Sequence, residues 1–202
     1  MKKIRQLVQQ FNKLPAVNTR QSRKMVAHIV EKLSCGLVDP ANLIDLLSEI
    51  KNEISQCEQC HNIVLDDRCD ICYRAHKYDT ICVVENLYEL WRISDANNFG
   101  CSYHILGGII SASDGVAPSQ LNIDSLSKRI EEFEIREIII ALNKSYNAVI
   151  TTNYISTILN KRFPDLIITT LAGGLPSGAN FDFIDDKTLE MAINSRINAL
   201  MD

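Results

Sequence analysis

A chain of 202 residues with 46% hydrophobic and 23% charged content is long enough for one or two buried cores and too apolar to be a disordered chain. No run approaches the roughly eighteen apolar residues of a membrane span, and Met1-Lys2-Lys3-Ile4-Arg5 continues into Gln9, Gln10, Asn12 and Lys13 without a signal peptide's apolar stretch. The expectation is a cytoplasmic protein with no membrane partner.

The net charge of −4 is unevenly spread. Residues 1–33 carry eight Lys or Arg (Lys2, Lys3, Arg5, Lys13, Arg20, Arg23, Lys24, Lys32) against Glu31 alone, while the remainder carries 13 basic and 24 acidic residues. A basic head on an acidic body is the pattern expected when one end meets a polyanion. Ile4, Leu7, Val8 and Phe11 recur at helical spacing, which predicts an amphipathic helix over residues 2–13 that Pro15 breaks. The turn Leu14-Pro15-Ala16-Val17-Asn18 feeds a second helix, with Thr19 as its candidate N-cap and Met25, Val26, Ile29, Val30 and Leu33 on its inner face. Arg20, Arg23 and Lys24 lie three and four residues apart near the N-terminal end of that helix, where the dipole and free N–H groups favour an anion. These three are the candidate DNA-binding residues. Asp39-Pro40 reads as the start of a third helix carrying Leu43, Leu46, Leu47 and Ile50.

Next come Cys57-Glu58-Gln59-Cys60 and Cys69-Asp70-Ile71-Cys72, a C-x2-C-x8-C-x2-C array. Two such knuckles close the tetrahedral thiolate shell that Zn2+ accepts, so Cys57, Cys60, Cys69 and Cys72 are the candidate metal ligands. Cys57 to His61 also spells the c-type haem attachment string, which leaves the second pair unexplained. A thioredoxin-like pair or two disulfides would need contexts the chain lacks. Four thiolates leave no position for a catalytic water, so the ion, one Zn2+ per chain, is read as structural and His61 as its neighbour. Cys35, Cys82 and Cys101 are expected to be buried and inert.

Beyond the array the pattern changes. Ile81–Val84, Tyr103–Leu106, Ile138–Leu142 and Leu166–Ile168 are short apolar runs typical of strands buried on both faces, and helices are expected near 86–97, 124–133, 149–161 and 186–198. Alternation of strand and helix predicts an α/β domain with a mainly parallel sheet. Two glycine-containing loops, Gly107–Pro118 and Ala172–Gly178, follow strands, and neither matches a P-loop or a G-x-G-x-x-G string.

The Leu-Pro turn between two basic helices, the four-cysteine array and a strand ending in Val83-Val84-Glu85 occur in one order. Leu106-Gly107-Gly108-Ile109-Ile110-Ser111-x-x-Asp114-Gly115 and Gly174-Leu175-Pro176-x-x-Gly178 follow. Together they resemble the RecR family of bacterial recombination mediators over nearly the whole chain. The resemblance implies an α+β, multi-domain protein: a helix-hairpin-helix head over 1–54, a four-cysteine zinc finger over 55–76, a Toprim-like α/β domain over 78–175, and a segment over 176–202 with a C-terminal helix. It implies a homo-oligomer, a tetrameric ring able to encircle DNA. It also implies a clamp or adaptor acting with RecO and RecF to load RecA at single-strand gaps, with no turnover of its own.

Two departures stand out. Where the family usually has Gly-x-Gly, this chain has Ala16-Val17-Asn18, and Ala16 adds a Cβ at a turn where glycine admits positive φ. Where RecR-like chains usually have Glu-Gly-Glu, this one reads Asn147-Ala148-Val149, leaving Glu85 as the main anionic group for a Toprim metal. The alternative reading, a Toprim-type metal-dependent phosphoryl-transfer enzyme (nuclease- or primase-like) centred on Glu85, is short of carboxylates for two metals. Asp114 is expected to shape a loop, and Asp124 and Asp185 to cap helices. No catalytic residue is assigned.

Overall fold

A computed structural model describes residues 1–36, 41–65, 68–95, 100–143, 145–171, 180, 184, 186–194 and 197–198. Two compact units emerge, Met1–Glu53 and Ile54–Asp202. The first is helical: α1 (Lys2–Phe11), α2 (Thr19–Ser34) and α3 (Ala41–Glu53). α1 stops two residues earlier than its periodicity predicts, because Asn12, Lys13 and Leu14 bond back to Val8, Gln10 and Phe11 in a closing turn before Pro15. The N-cap of α2 is Asn18 rather than Thr19. Its Oδ1 accepts from the Gln21 N–H at 2.9 Å, and its own N–H donates to Gln21 Oε1 at 2.8 Å, a complete capping box. Of the expected inner face of α2, only Val26 is fully buried, together with Ser22, while Met25 and Leu33 are exposed. The Asp39-Pro40 helix start lies outside the described residues.

The second unit opens with a two-stranded antiparallel ribbon, β1 (Ser55–Gln56) and β2 (Ile63–Val64), and a short helix, α4 (Asp70–Ala75). There follow β3 (Thr80–Val84), α5 (Leu87–Asp95), β4 (Ser102–Ile105), α6 (Ile123–Glu132), β5 (Glu137–Ile140), α7 (Tyr146–Arg162), β6 (Ile167–Thr170), α8 (Asp186–Asn194) and β7 (Ile197–Asn198). The sheet runs β4-β3-β5-β6-β7, parallel through its first four strands, with β7 antiparallel to β6. Side chains alternate along each strand. Ile81, Val83, Ile138 and Ile140 join Leu126, Ile130, Ile155 and Leu159 in one core, and Cys82, Val84 and Ile139 join Leu90, Ile93, Leu189 and Ile193 in the other. Helices on both faces explain why these strands read as unbroken apolar runs.

The last helix does not run to residue 198 as its pattern predicts. Ile197 and Asn198 pair instead with Thr170 and Thr169 at the sheet edge, so strand pairing there outweighs helical periodicity. Asp124 is not a cap either: Asn122 takes the N-cap position of α6 and Asp124 lies in its first turn. Cys82 and Cys101 are buried as expected, whereas Cys35, at the C-cap of α2, is exposed, with no core covering it among the described residues.

Candidate metal centre and nucleic-acid interface

The first knuckle is a tight turn. Cys57 N–H donates to the Asn62 carbonyl at 2.9 Å and His61 N–H to the Cys57 carbonyl at 2.9 Å, with His61 at a φ of 60°. The second knuckle is a helix start, Cys69 standing at the N-cap of α4 and Cys72 in its first turn. These two backbone devices bring the sulfurs of Cys57, Cys60, Cys69 and Cys72 within 4.8 Å of one another. The closest pairs, Cys57–Cys72 at 3.6 Å and Cys60–Cys69 at 3.4 Å, are far beyond a bonded S–S distance. They suit a tetrahedral shell, in which ligands about 2.3 Å from one ion stand roughly 3.8 Å apart. The four side chains therefore fit a metal ion. The electrostatics agree: the Cys60 thiol is pushed well up, first by its hydrogen bond to Cys72 and then by burial, while Cys72 is lowered to about 6, chiefly by that same bond. Sulfurs this close cannot all ionise unaided, and a divalent cation relieves the repulsion.

His61 is held away from the sulfurs by a polar chain. The Ser125 hydroxyl donates to the Asn122 carbonyl at 3.1 Å, so it accepts from His61 Nε2–H at 2.7 Å. His104 Nε2–H donates to the same carbonyl at 2.8 Å, and the two imidazoles meet edge to face with centroids 5.6 Å apart. Asn122 Nδ2 donates to the Ile105 carbonyl at 3.0 Å, and Ile105 N–H donates to the Cys60 carbonyl at 2.9 Å. The cysteine module is thereby fastened to the edge strand β4 and to the start of α6. His104 is completely buried, and burial, reinforced by the nearby Arg129 guanidinium, lowers it to about 3 and keeps it neutral. The sequence marks His104 only as part of an apolar run and singles out none of Asn122, Ser125 or Arg129. A histidine inside a strand pattern is the one signal it offers for this network.

At the carboxyl end of β3, Glu85 is half-buried, and burial raises its carboxyl. Its backbone N–H is taken by the buried Glu89 carboxylate at 3.0 Å, which also accepts from Asn143 Nδ2 at 2.5 Å. Asn147, standing where the resemblance expects a carboxylate, donates to Ser111 Oγ at 3.1 Å, and Ser111 in turn donates to Asp114 at 2.5 Å. Asp114 thus shapes its loop as expected, and Asn147 anchors that loop to α7. The Ala172–Gly178 loop and Asp185 lie outside the described residues.

In the other unit, Arg20, Arg23 and Lys24 are all exposed on α2, on one side of its first two turns. None of them forms an ion pair or hydrogen bond among the described residues. The capping box takes the Gln21 N–H, one of the donors at the start of this helix, so fewer free N–H groups remain there to favour an anion beside the side-chain charges. Ala16 adopts a φ of 58°, the left-handed geometry the turn requires even without glycine.

The Toprim domain family matches residues 79–171, the segment from β3 to the end of β6. Over 194 residues the chain is 37% identical to the recombination protein RecR of Erythrobacter litoralis, covering 96% of each chain. It is 37% identical over 196 residues to RecR of Beijerinckia indica, covering 96% of this chain and 95% of that one. With RecR of Ehrlichia canis the identity is 33% over 194 residues, covering 96% of this chain and 97% of that one. The chain belongs to the RecR family. Within this RecR-family chain the Toprim segment begins directly after the cysteine module, and Glu85, Asn143 and Asn147 stand at one end of its sheet. No described helix is long and apolar enough to cross a membrane.

Proposed function

We propose that this chain is a DNA-binding adaptor of recombinational repair that turns over no substrate. Zn2+ is the ion of choice for Cys57, Cys60, Cys69 and Cys72, since soft thiolates select it and four of them fill its shell. Such an ion gives the small module a fold it could not hold by packing alone. Arg20, Arg23 and Lys24 meet phosphates. The domain assignment follows the same reading: head 1–54, finger 55–76, Toprim-like domain 78–175 and C-terminal segment 176–202. Family membership supports the finer picture of a cytoplasmic homo-oligomer that encircles DNA and acts with RecO and RecF in loading RecA.

The observation that carries this reading is the set of three exposed cations on α2 without an acidic partner among the described residues. At the Toprim end the donor set is poor in charge: Asn147 is a neutral amide engaged with Ser111, and Glu89 is engaged with backbone and Asn143. Glu85 alone offers too few anionic oxygens for two-metal phosphoryl transfer.

The test is charge reversal. Arg20→Glu with Lys24→Glu is expected to weaken DNA binding on every sequence tried and to reduce the slope of log affinity against log salt by about 2. Fluorescence anisotropy over roughly 50 to 200 mM salt, where counterion release dominates, reads both. An unaltered affinity and slope would remove α2 from the interface.

A further inference from the structure

Arg129 is 1% exposed, on α6, and has no carboxylate within ion-pair distance among the described residues. Its Nη1 donates to the Tyr103 carbonyl at 2.7 Å and approaches His104 Nδ1 at 3.4 Å, and its Nη2 donates to Ser102 Oγ at 2.8 Å. Its Nε has no hydrogen-bond partner among the described residues. All three bonded acceptors are neutral, yet a fully buried arginine is rare unless an anion compensates it. His104 cannot serve, because it is neutral. Among the described residues the anionic assembly at hand is the cysteine cluster, reached through His104, His61 and the Cys60 carbonyl bonded to Ile105. Both groups attach to the same stretch of β4: Arg129 Nη1 donates to the Tyr103 carbonyl at 2.7 Å, and the Cys60 carbonyl accepts the Ile105 N–H, two residues along, at 2.9 Å.

We infer that Arg129 is the buried counter-cation of the metal centre: four thiolates around a divalent ion leave a site charge of about −2, and Arg129 offsets part of it from within the Toprim domain. The inference rests on the metal reading proposed above and goes beyond it. Metal and sheet become one electrostatic unit, each lowering the energetic penalty of burying the other's charge. Arg129 is a positioning residue here: its hydrogen bonds go to Tyr103, His104 and Ser102 rather than to the ligands themselves.

The experiment is Zn2+ affinity of the full chain by competition with a chromogenic chelator, with thermal unfolding alongside. Arg129→Met is expected to bind Zn2+ at least about tenfold more weakly, in line with the losses that follow removal of outer-shell partners. Arg129→Lys, which keeps the charge and loses the fork, is expected to stay within about threefold of the parent. Equal affinity in parent and Met variant, or equal loss in the Met and Lys variants, would overturn the inference. Should the Met variant not fold, the parent decides: stripping its Zn2+ is expected to speed amide exchange at Ser102–Ile105 and along α6, and unchanged protection there would overturn the inference. A parent that binds no Zn2+ at all would instead overturn the metal reading itself.

Discussion

His104 shows how much one side chain can depend on what surrounds it. In the chain it sits between Tyr103 and Ile105 as one more strand residue; in the fold it is buried, neutral and shared between the Asn122 carbonyl and the Arg129 guanidinium. Its folded pKa of about 3 lies below the ordinary value of 6.5. The unfolded chain therefore binds an extra proton between those values, so stability is fully present above pH 6.5 and falls as the solution is acidified towards 3. The loss for one such group is roughly 1.4 kcal/mol per pH unit within that window. His104→Gln, which keeps a donor for the Asn122 carbonyl and cannot titrate, is expected to flatten the decline of melting temperature as pH falls from about 6.5 to about 5. Parallel melting curves for parent and variant would rule out this assignment.

The elements of the head depend on a turn whose sequence departs from the family's glycines. Ala16 is the residue that departure puts under strain, and the backbone accepts it: φ is 58° at Ala16, while Asn18 takes an extended conformation and becomes the cap. A left-handed non-glycine residue costs about 1–2 kcal/mol, and the greater unfolded-state freedom of glycine offsets part of that. Ala16→Gly is thus expected to stabilise the head by up to about 1 kcal/mol, read by urea denaturation. A destabilised variant would mean that the Ala16 methyl packs usefully. The cap itself stands one residue before the position the sequence suggests, because Thr19 and Asn18 are both good capping residues and only the bonds to Gln21 distinguish them. Likewise α8 ends at Asn194, and Ile197 joins the sheet, a choice made by the open edge of β6 rather than by the local pattern.

For the molecule as a whole, the notable surface belongs to α3. Leu43 is 60% and Leu47 59% exposed, and Ile44, Leu46 and Ile50 are exposed as well. The leucines that set the period of this helix therefore have no core to enter among the described residues. A row of this kind is a common mark of association between chains, which accords with the proposed homo-oligomer. Light scattering on the parent is expected to give a multiple of the 22.8 kDa chain mass. Leu43→Asp with Leu47→Asp is expected to lower it. A monomeric parent would refute self-association, and an unchanged mass in the variant would exclude α3 from the contact.

What could be read without coordinates was whatever lies in local spacing: the C-x2-C pairs, the doubly apolar strands, the helical placement of Arg20, Arg23 and Lys24. Each of these follows from a period or a turn within a few residues, which chain order preserves. The polar chain from His61 through Ser125 and Asn122 to His104 could not be read that way, nor could the burial of Arg129 against Ser102, Tyr103 and His104. Those relations join residues 61 to 129 across separate strands and helices, and the energy of a buried charge or hydrogen bond is set by neighbours that only folding brings within reach.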